Sequence, residues 1–329
     1  MKAMNTTAGH PLRSRSGPTA RRSGRTFRHP TLFRLAWAVL WCAGCARSGT
    51  GVVSSEELIK SFLSDWAKAA DAVDPGTGFP RRVVRAADGM TMILIPAGTF
   101  KMGAVAGDSH AGHDEKPQRL VMLSKAYYID EHEVTESMWH RFCTEVDEAH
   151  STTMAGSRHG TSYHSPINGV SWHAAMEYAA WAQVSLPTEA QWERAARGGK
   201  EDLLYPWGNE DDVGMRNGPY QFDNQTRFDL DGFMYDAPVK SFPPNTFGLF
   251  DICGNVWEWC SDLYQEDYYR TGPSVDPTGP LEPPMPKPFR VVRGGGAGSS
   301  PRRELRVSQR RYAHEQSRMF GFRCAITLP

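Results

Sequence analysis

The first amphipathic pattern of the chain lies between residues 54 and 73, where apolar residues recur at helical spacing. Asp74-Pro75-Gly76 then stops the pattern, as a proline-glycine pair does at the end of a helix. The sequence therefore predicts an amphipathic helix whose stripe packs against the rest of the chain. The apolar positions of that stripe are Leu58, Ile59, Phe62, Leu63 and Trp66.

From about Gly89 onward, where we place the start of the main domain, apolar and polar residues alternate with the spacing of a β-strand. Residues 90–103 alternate between apolar and polar positions and end in glycine, which predicts a strand, a turn and a second strand. Residues 104–118 are rich in Gly, His and Asp and predict a loop. Residues 119–129 return to strand character.

Three helices carry start signals. Thr135 is a predicted N-cap for a helix that contains Trp139 and Phe142, and Ser171 caps a second helix predicted over 172–183. The third is predicted by the capping box Thr188-Glu-Ala-Gln191, with Gly198 at its end. Beyond Gly199 regular periodicity largely disappears and turn residues dominate, which indicates an irregular, loop-rich α+β domain.

The chain begins with a basic segment followed by a short apolar run, 35–41, and then Cys42-Ala43-Gly44-Cys45. This order predicts an export signal over residues 1–45, because the apolar run is too short to span a bilayer. Ala-Gly-Cys resembles a bacterial lipoprotein box with Cys45 as the lipidated residue, and an ordinary signal peptide is the alternative. Residues 46–88 would then hold a small polar tether and the amphipathic helix. We expect a periplasmic or outer-membrane-anchored bacterial lipoprotein that meets the membrane only through its lipid.

The formal charge of zero hides an asymmetry. The chain has 37 basic and 37 acidic residues, and eight basic but no acidic residues precede Cys45. Cleavage there leaves 29 basic against 37 acidic residues, a net charge of −8. We therefore expect no nucleic-acid partner, since phosphate binding needs clustered positive charge.

Several motifs occur in one order along residues 89–329. They are Ile95-Pro-Ala-Gly-Thr-Phe-Lys-Met-Gly103, Glu133-Val-Thr135, Val170-Ser-Trp172, Leu186-Pro-Thr-Glu-Ala-Gln-Trp-Glu193, Tyr205-Pro-Trp-Gly-Asn209, Asp251-Ile-Cys-Gly-Asn-Val-Trp-Glu-Trp-Cys260, Arg290-Val-Val-Arg-Gly-Gly-Gly296 and Gly321-Phe-Arg-Cys324. Together they resemble the formylglycine-generating enzyme, or sulfatase-modifying factor, family. The resemblance implies an irregular C-type-lectin-like fold for residues 89–329.

The same resemblance implies two calcium sites. One would use the side chains of Asn217 and Asp231 with the carbonyls of Gly218 and Phe233. The other would use the side chains of Asp251 and Glu258 with the carbonyls of Gly254 and Val256. Carboxylates mixed with backbone carbonyls suit calcium, which takes several oxygen ligands. Without the resemblance, Asp231-Gly232 would be an ordinary turn and Glu258 a solvated strand residue.

The catalytic centre of the family is not repeated. Its oxidase holds copper(I) between two cysteines, whose positions fall here on Ser299 and Glu304, and Gly296 replaces a serine beside the site. No cysteine lies between Gly296 and Arg323. Copper(I) selects thiolate ligands, so neither copper binding nor formylglycine generation is expected.

Four cysteines follow the export signal: Cys143, Cys253, Cys260 and Cys324. They can pair in three ways, between which the sequence does not choose. The family often joins its Gly-Phe-Arg-Cys cysteine to one at the position of Ala179, so Cys324 must pair elsewhere or stay free.

A basic segment borders what is the substrate groove in the family's enzymes. It contains Arg302, Arg303, Arg306 and Arg310. The segment indicates either a groove for a peptide or small anionic ligand or a solvated edge strand. His110 and His113 are interpreted as surface residues, and Gly294–Gly298 as a tight turn, because no Gly-Lys-Ser/Thr follows.

These observations predict a calcium-stabilised binding or accessory module in the cell envelope, with a peptide, protein or small anionic ligand as partner. The enzyme alternative is a divergent oxidoreductase or periplasmic maturation factor acting on a peptide or siderophore-like substrate.

Overall fold

The computed structural model describes residues 67–68, 72–146, 162–218, 220–222, 225–227, 230–315 and 317–329. All of them belong to one compact unit, Gly51–Pro329. The predicted export signal, Cys45 and the tether lie outside these residues. So does most of the predicted helix 54–73; of its described residues, Ala67–Lys68 form a strand and Val73 forms an isolated bridge with Pro80, so none of them is helical.

The larger sheet has five strands in the order β1-β2-β3-β6-β13, and all neighbours are antiparallel. Along β3 the side chains alternate between the two faces of the sheet, with Met92 and Leu94 on one face and Ile93 and Ile95 on the other. Each face packs into a hydrophobic cluster, so the strand is buried on both sides. The bounds are Ala67–Lys68 (β1), Arg82–Val84 (β2), Thr91–Ile95 (β3), Tyr127–Asp130 (β6) and Ala325–Thr327 (β13).

The predicted strand 119–129 is divided into two strands that belong to different sheets. Its first part, Arg119–Leu123 (β5), pairs with Gly98–Met102 (β4) in a two-stranded sheet, and its second part is β6. The chain therefore leaves one sheet and enters the other between Leu123 and Tyr127.

The second sheet carries the C-terminal motifs and has the order β11-β10-β9-β12. Its inner strand Trp257–Leu263 (β9) is buried at six of its seven positions. The sheet lies in the region where turns dominate the sequence, so its strands were not predicted individually. Its other members are Arg290–Arg293 (β10), Arg311–Ala313 (β11) and Phe320–Gly321 (β12), and a separate hairpin joins Tyr220–Phe222 (β7) to Gln225–Arg227 (β8).

The three predicted helices form at their predicted starts. Ser171 Oγ accepts from Ala174 N at 3.2 Å, and the Thr188–Gln191 capping box is complete in both directions. Gly198 ends the third helix in the left-handed conformation. The helices are Glu136–Val146 (α1), Trp172–Trp181 (α2) and Glu189–Arg197 (α3), with short turns of helix at Val213–Met215 (3-10), Tyr268–Thr271 (α4) and Pro301–Glu304 (α5).

Aromatic side chains join α1 and α2 to the end of the chain. The ring of Tyr178 stacks on Trp139 with 5.8 Å between centroids, and Phe322 meets Tyr178 edge-on at 5.2 Å. The described residues thus form a mixed, loop-rich α+β domain, as predicted. None of its helices is long and apolar enough to cross a membrane.

Candidate metal region and the former catalytic segment

The turn between Asp251 and Glu258 brings the two predicted calcium sites side by side. Asp251 and Asn255 both adopt left-handed backbone conformations, with φ of 53° and 60°. Gly254 packs so closely on Asn217 that an added Cβ would lie 2.3 Å from the Asn217 carbonyl oxygen. The turn therefore needs glycine at that position, and the two sites share a backbone contact.

The first predicted ligand set fits a cation in part. Asn217 is buried, and its Oδ1 atom has no hydrogen-bond partner. Asp231 lies beside it, accepting from Asn217 Nδ2 at 3.2 Å and from Gly218 N at 2.8 Å. The carbonyl of Gly218, in contrast, accepts from Arg216 Nη1 at 2.7 Å. An unpartnered buried amide oxygen beside a carboxylate is the donor set that calcium uses.

The two carboxylates of the second predicted set differ, because one oxygen of Asp251 has no hydrogen-bond partner while both oxygens of Glu258 do. Asp251 is buried, and its Oδ1 atom has no partner, while Oδ2 accepts from Lys240 N at 2.6 Å. Glu258 accepts from Arg323 through both oxygens, at 2.7 and 2.8 Å, and also from Trp192 Nε1 at 2.8 Å. Glu258 is therefore the partner of a buried guanidinium and not a solvated strand residue.

Glu133 is a buried acid of this region that was not singled out as a ligand. It is fully buried, and neither of its carboxylate oxygens has a hydrogen-bond partner. Burial, and next the charge of Asp251, raise the pKa of Glu133 well above its usual range, and burial also raises the pKa of Asp251. In the sequence Glu133 stands only as the first residue of the motif Glu133-Val-Thr135, just before the helix N-cap, and this position does not indicate a ligand.

A side-chain cage of acids, histidines and cysteines is absent from the described residues, where no three such groups converge as metal ligands. His110 and His113 are exposed, as expected for surface residues. A cation in the Asp251 region would therefore depend on amide and carbonyl oxygens as well as carboxylates, and such all-oxygen sets favour hard ions such as calcium.

Ser299 and Glu304, where the resemblance places the two cysteines of the family, both accept hydrogen bonds from backbone N–H groups. Ser299 is buried, and its hydroxyl accepts from Gly296 N at 3.0 Å, which closes the turn after β10. Glu304 caps its own short helix, accepting from Ser300 N at 2.9 Å. The turn begins with Gly294 and Gly295 in left-handed conformations, which agrees with the tight turn expected there. Neither side chain offers a soft ligand for copper(I).

The four arginines assigned to a groove divide into two pairs. Arg306 is buried and bound by Glu115 and Asp108, and Arg310 is buried and bound by Glu189 through both oxygens. Arg302 and Arg303 are exposed on α5. Arg306 and Arg310 therefore hold the core together and face no open groove, because their partners occupy them.

The four described cysteines are all buried thiols without a disulfide. Cys143 and Cys324 lie in one hydrophobic cluster with Ala179, while Cys253 and Cys260 lie in another. Burial raises the pKa of the Cys253 and Cys324 thiols, so these groups lack thiolate character. The position that would have bridged to Cys324 is thus present in the same cluster but filled by a methyl group.

A pocket of about 320 Å³ opens beside the Asp251 turn. Trp207 forms part of its wall and stacks on Tyr205 at 5.2 Å, and Asp251 and Cys253 also line it. The pocket therefore connects the buried Asp251 region with the surface.

The comparisons with known proteins agree with these motifs. Residues 80–328 match the family model described as the sulfatase-modifying factor enzyme 1-like domain. The chain belongs to this family. A formylglycine-generating enzyme of Streptomyces coelicolor is 32% identical over 78% of this chain and 94% of its own length. The structure of PvdO from Pseudomonas aeruginosa superposes with a TM-score of 0.65 at 25% identity, over 78% of this chain and 100% of that one.

The same domain also occurs within longer relatives. A protein of Chlamydia trachomatis named serine/threonine-protein kinase Pkn1 is 35% identical over 71% of this chain, which spans 38% of that relative. Family membership therefore establishes the domain, while the reaction has to be argued from the residues at the site.

Proposed function

We propose that this chain is an exported, calcium-stabilised member of the family that acts as a binding or accessory module in the bacterial cell envelope, without copper oxidase chemistry. The observation that carries the proposal is the state of the two former cysteine positions. Ser299 closes a turn and Glu304 caps a helix, so both side chains are used by the fold. Neither can replace a thiolate on copper(I).

The calcium part of the proposal is supported by two buried oxygen atoms. Asn217 Oδ1 and Asp251 Oδ1 lack partners, although unpartnered buried acceptors are uncommon and costly. Calcium would be held in the first site by Asn217 and Asp231 and in the second with Asp251. Its chemistry there would be structural, linking loops that have little regular structure of their own.

The envelope location is supported by the sequence order of basic segment, apolar run and Ala43-Gly44-Cys45. Expression in a bacterial host with radiolabelled palmitate tests it, with Cys45→Ser as the matched variant. We expect label in the full chain and none in the variant. Label in both, or in neither, would contradict lipidation at this residue.

The ligand is proposed to be a peptide, a protein or a small anion that meets the exposed Arg302 and Arg303. Binding of an acidic peptide at low and high salt, compared with an Arg302→Ala/Arg303→Ala variant, tests this contact. The expected result is salt-sensitive binding that the double substitution weakens, because exposed charges are screened by salt.

The absence of oxidase chemistry is tested with a sulfatase-type cysteine peptide, oxygen and copper(I), followed by an aldehyde-reactive probe. The Streptomyces coelicolor enzyme serves as the positive control. We expect aldehyde with that enzyme and none above background with this chain. Turnover to aldehyde by this chain would overturn the proposal.

The alternative function is a divergent oxidoreductase or periplasmic maturation factor, and the 32% identity to the formylglycine-generating enzyme of Streptomyces coelicolor favours its enzymatic part. It predicts oxygen uptake with a peptide or siderophore-like substrate in the absence of added copper. Protein-dependent oxygen uptake with such a substrate would favour the alternative over the accessory module.

A further inference from the structure

Three carboxylate oxygens near the Asp251 turn are buried without any hydrogen-bond partner. They are both oxygens of Glu133, which is 0% exposed, and Oδ1 of Asp251, which is 8% exposed. A buried carboxylate without a partner costs several kcal/mol unless it is neutralised or bound to a cation. The arrangement therefore indicates a ligand that the protein chain itself does not supply.

Backbone hydrogen bonds hold Glu133 beside both Asp251 and Arg323. Phe250 N donates to the carbonyl of Glu131 at 2.9 Å, and Val134 N donates to the carbonyl of Phe322 at 3.0 Å. The segment that carries Glu133 is thus fixed on one side to the residue before Asp251 and on the other to the residue before Arg323.

The local charges do not balance. Three buried carboxylates, Glu133, Asp251 and Glu258, lie near enough to interact electrostatically with one buried guanidinium, that of Arg323, which binds both oxygens of Glu258. Beside this group, Glu131 pairs with the nearby Lys240 and, at 3.6 Å, with Arg82. The three acids and the one guanidinium together carry two negative charges when the acids are ionised, and one divalent cation would offset them.

We propose that Glu133 is a ligand of the second calcium ion, together with Asp251, and that Glu258 remains the partner of Arg323. Both oxygens of Glu133 are without a hydrogen-bond partner, whereas those of Glu258 already accept from Arg323. The pocket that Asp251 lines provides an access route for the ion and for water ligands. This inference rests on the calcium part of the proposed function.

The first test counts bound calcium in the full chain by equilibrium dialysis with metal analysis. The variants are Glu133→Gln, Glu258→Gln and Asp231→Asn, with Glu145→Gln on the exposed face of α1 as the matched control. We expect two ions in the wild type, the control and Glu258→Gln, and one in Glu133→Gln and in Asp231→Asn. The double variant Glu133→Gln/Asp231→Asn should bind none.

The outcomes separate the two claims. A wild type that binds no calcium refutes the calcium part of the proposed function. A wild type and a Glu133→Gln variant that both bind two ions with equal affinity refute only the assignment of Glu133. Loss of one ion in Glu258→Gln but not in Glu133→Gln would return the ligand role to Glu258.

Thermal unfolding provides a readout that a purely structural role would not reproduce. In chelator, Glu133→Gln should melt at a higher temperature than the wild type, because the substitution removes an unpaired buried charge. In excess calcium the order should reverse, since only the wild type gains the second ion. A Glu133→Gln variant that melts lower in both conditions, or does not fold in chelator, contradicts the proposal.

Discussion

Two acid-rich regions of this domain differ in whether their buried carboxylates have hydrogen-bond partners. In the core beneath β10, Glu189 and Glu193 accept hydrogen bonds at every carboxylate oxygen, from Arg293 and from Arg310 or Arg197. Around the Asp251 turn, Glu133 and Asp251 leave three oxygens without a partner. Both sets are buried, so the difference lies in what neutralises them.

The acids of the first region are neutralised by arginines of the same chain. Those of the second region have no such partner, and we propose that they need a bound ion. Arginine-paired acids are satisfied within the chain, and removal of one partner would leave a buried charge. Buried acids without a partner must be protonated or bound to a cation, and for the Asp251 region we propose a cation. The arginine-paired core is therefore expected to resist chelators, and the Asp251 region to respond to them.

The largest effect is expected when the arginine-paired core loses one of its buried arginines. Arg293→Met leaves Glu189 and Glu193 each short of a partner in the interior. The free energy of unfolding should fall by about 3–5 kcal/mol, measured by urea unfolding at neutral pH. Arg302→Met, which changes an exposed arginine, is the control and should stay within about 0.5 kcal/mol of the wild type. Equal losses in the two variants would show that burial of Arg293 is not what matters.

Calcium removal is expected to act on the other region. At a calcium concentration 100 times the dissociation constant, one bound ion stabilises the folded state by about 2.7 kcal/mol. Chelator should therefore lower the melting temperature of the wild type clearly and that of Asn217→Ala less. Unchanged calorimetric melting on chelation would refute both calcium sites.

Asp262 is an exception within the arginine-paired core, because among the described residues its carboxylate accepts from Glu189 N and the Ser261 hydroxyl and from no arginine. Burial, and next the charge of Glu189, raise the pKa of Asp262 to about 7 from 3.8. Its ionisation therefore opposes folding above pH 7, and this cost is relieved as the pH falls towards 4. Asp262→Asn should be more stable than the wild type at pH 8 by about 1–3 kcal/mol, with a smaller advantage at pH 5. An advantage that grows on acidification would contradict the assignment.

The smallest effect is expected from Gly296→Ser, which restores the family's residue beside the former catalytic centre. An added Cβ would lie 3.3 Å from the carbonyl of Asn255 and 3.4 Å from Trp257 Cδ1, which is tight, so these neighbours must shift by a few tenths of an ångström. The hydroxyl could also accept from Trp257 Nε1, which is buried without a partner. Stability should change by less than about 1 kcal/mol, and no copper(I) binding should appear.

Local signals explain what could be predicted from the sequence. The starts of the helices at Ser171 and Thr188 depend on side chains that bond a backbone N–H three residues away, so a short window contains all the information. The α+β character and the family motifs were likewise visible. The strands after Gly199 were not, because their pairing joins segments far apart, as in the parallel contact of Phe320 with Trp257.

The arginine assignments show why distant partners defeat sequence analysis. Arg306 and Arg310 resemble a solvated basic segment, yet their acids lie 191 and 121 residues earlier in the chain. Glu133 shows the converse, since nothing around it in the sequence indicates that both of its oxygens are buried without a partner. The presence of a charged residue in the sequence therefore did not predict whether its side chain is buried or which residue it pairs with.

The central claim is that this domain retains the calcium part of its family's architecture and has lost the copper part. Metal analysis of the full chain after incubation with both calcium and copper(I), followed by removal of loosely bound ions, tests it most directly. The account predicts bound calcium and no stoichiometric copper. One tightly bound copper(I) per chain, or copper without calcium, would contradict it.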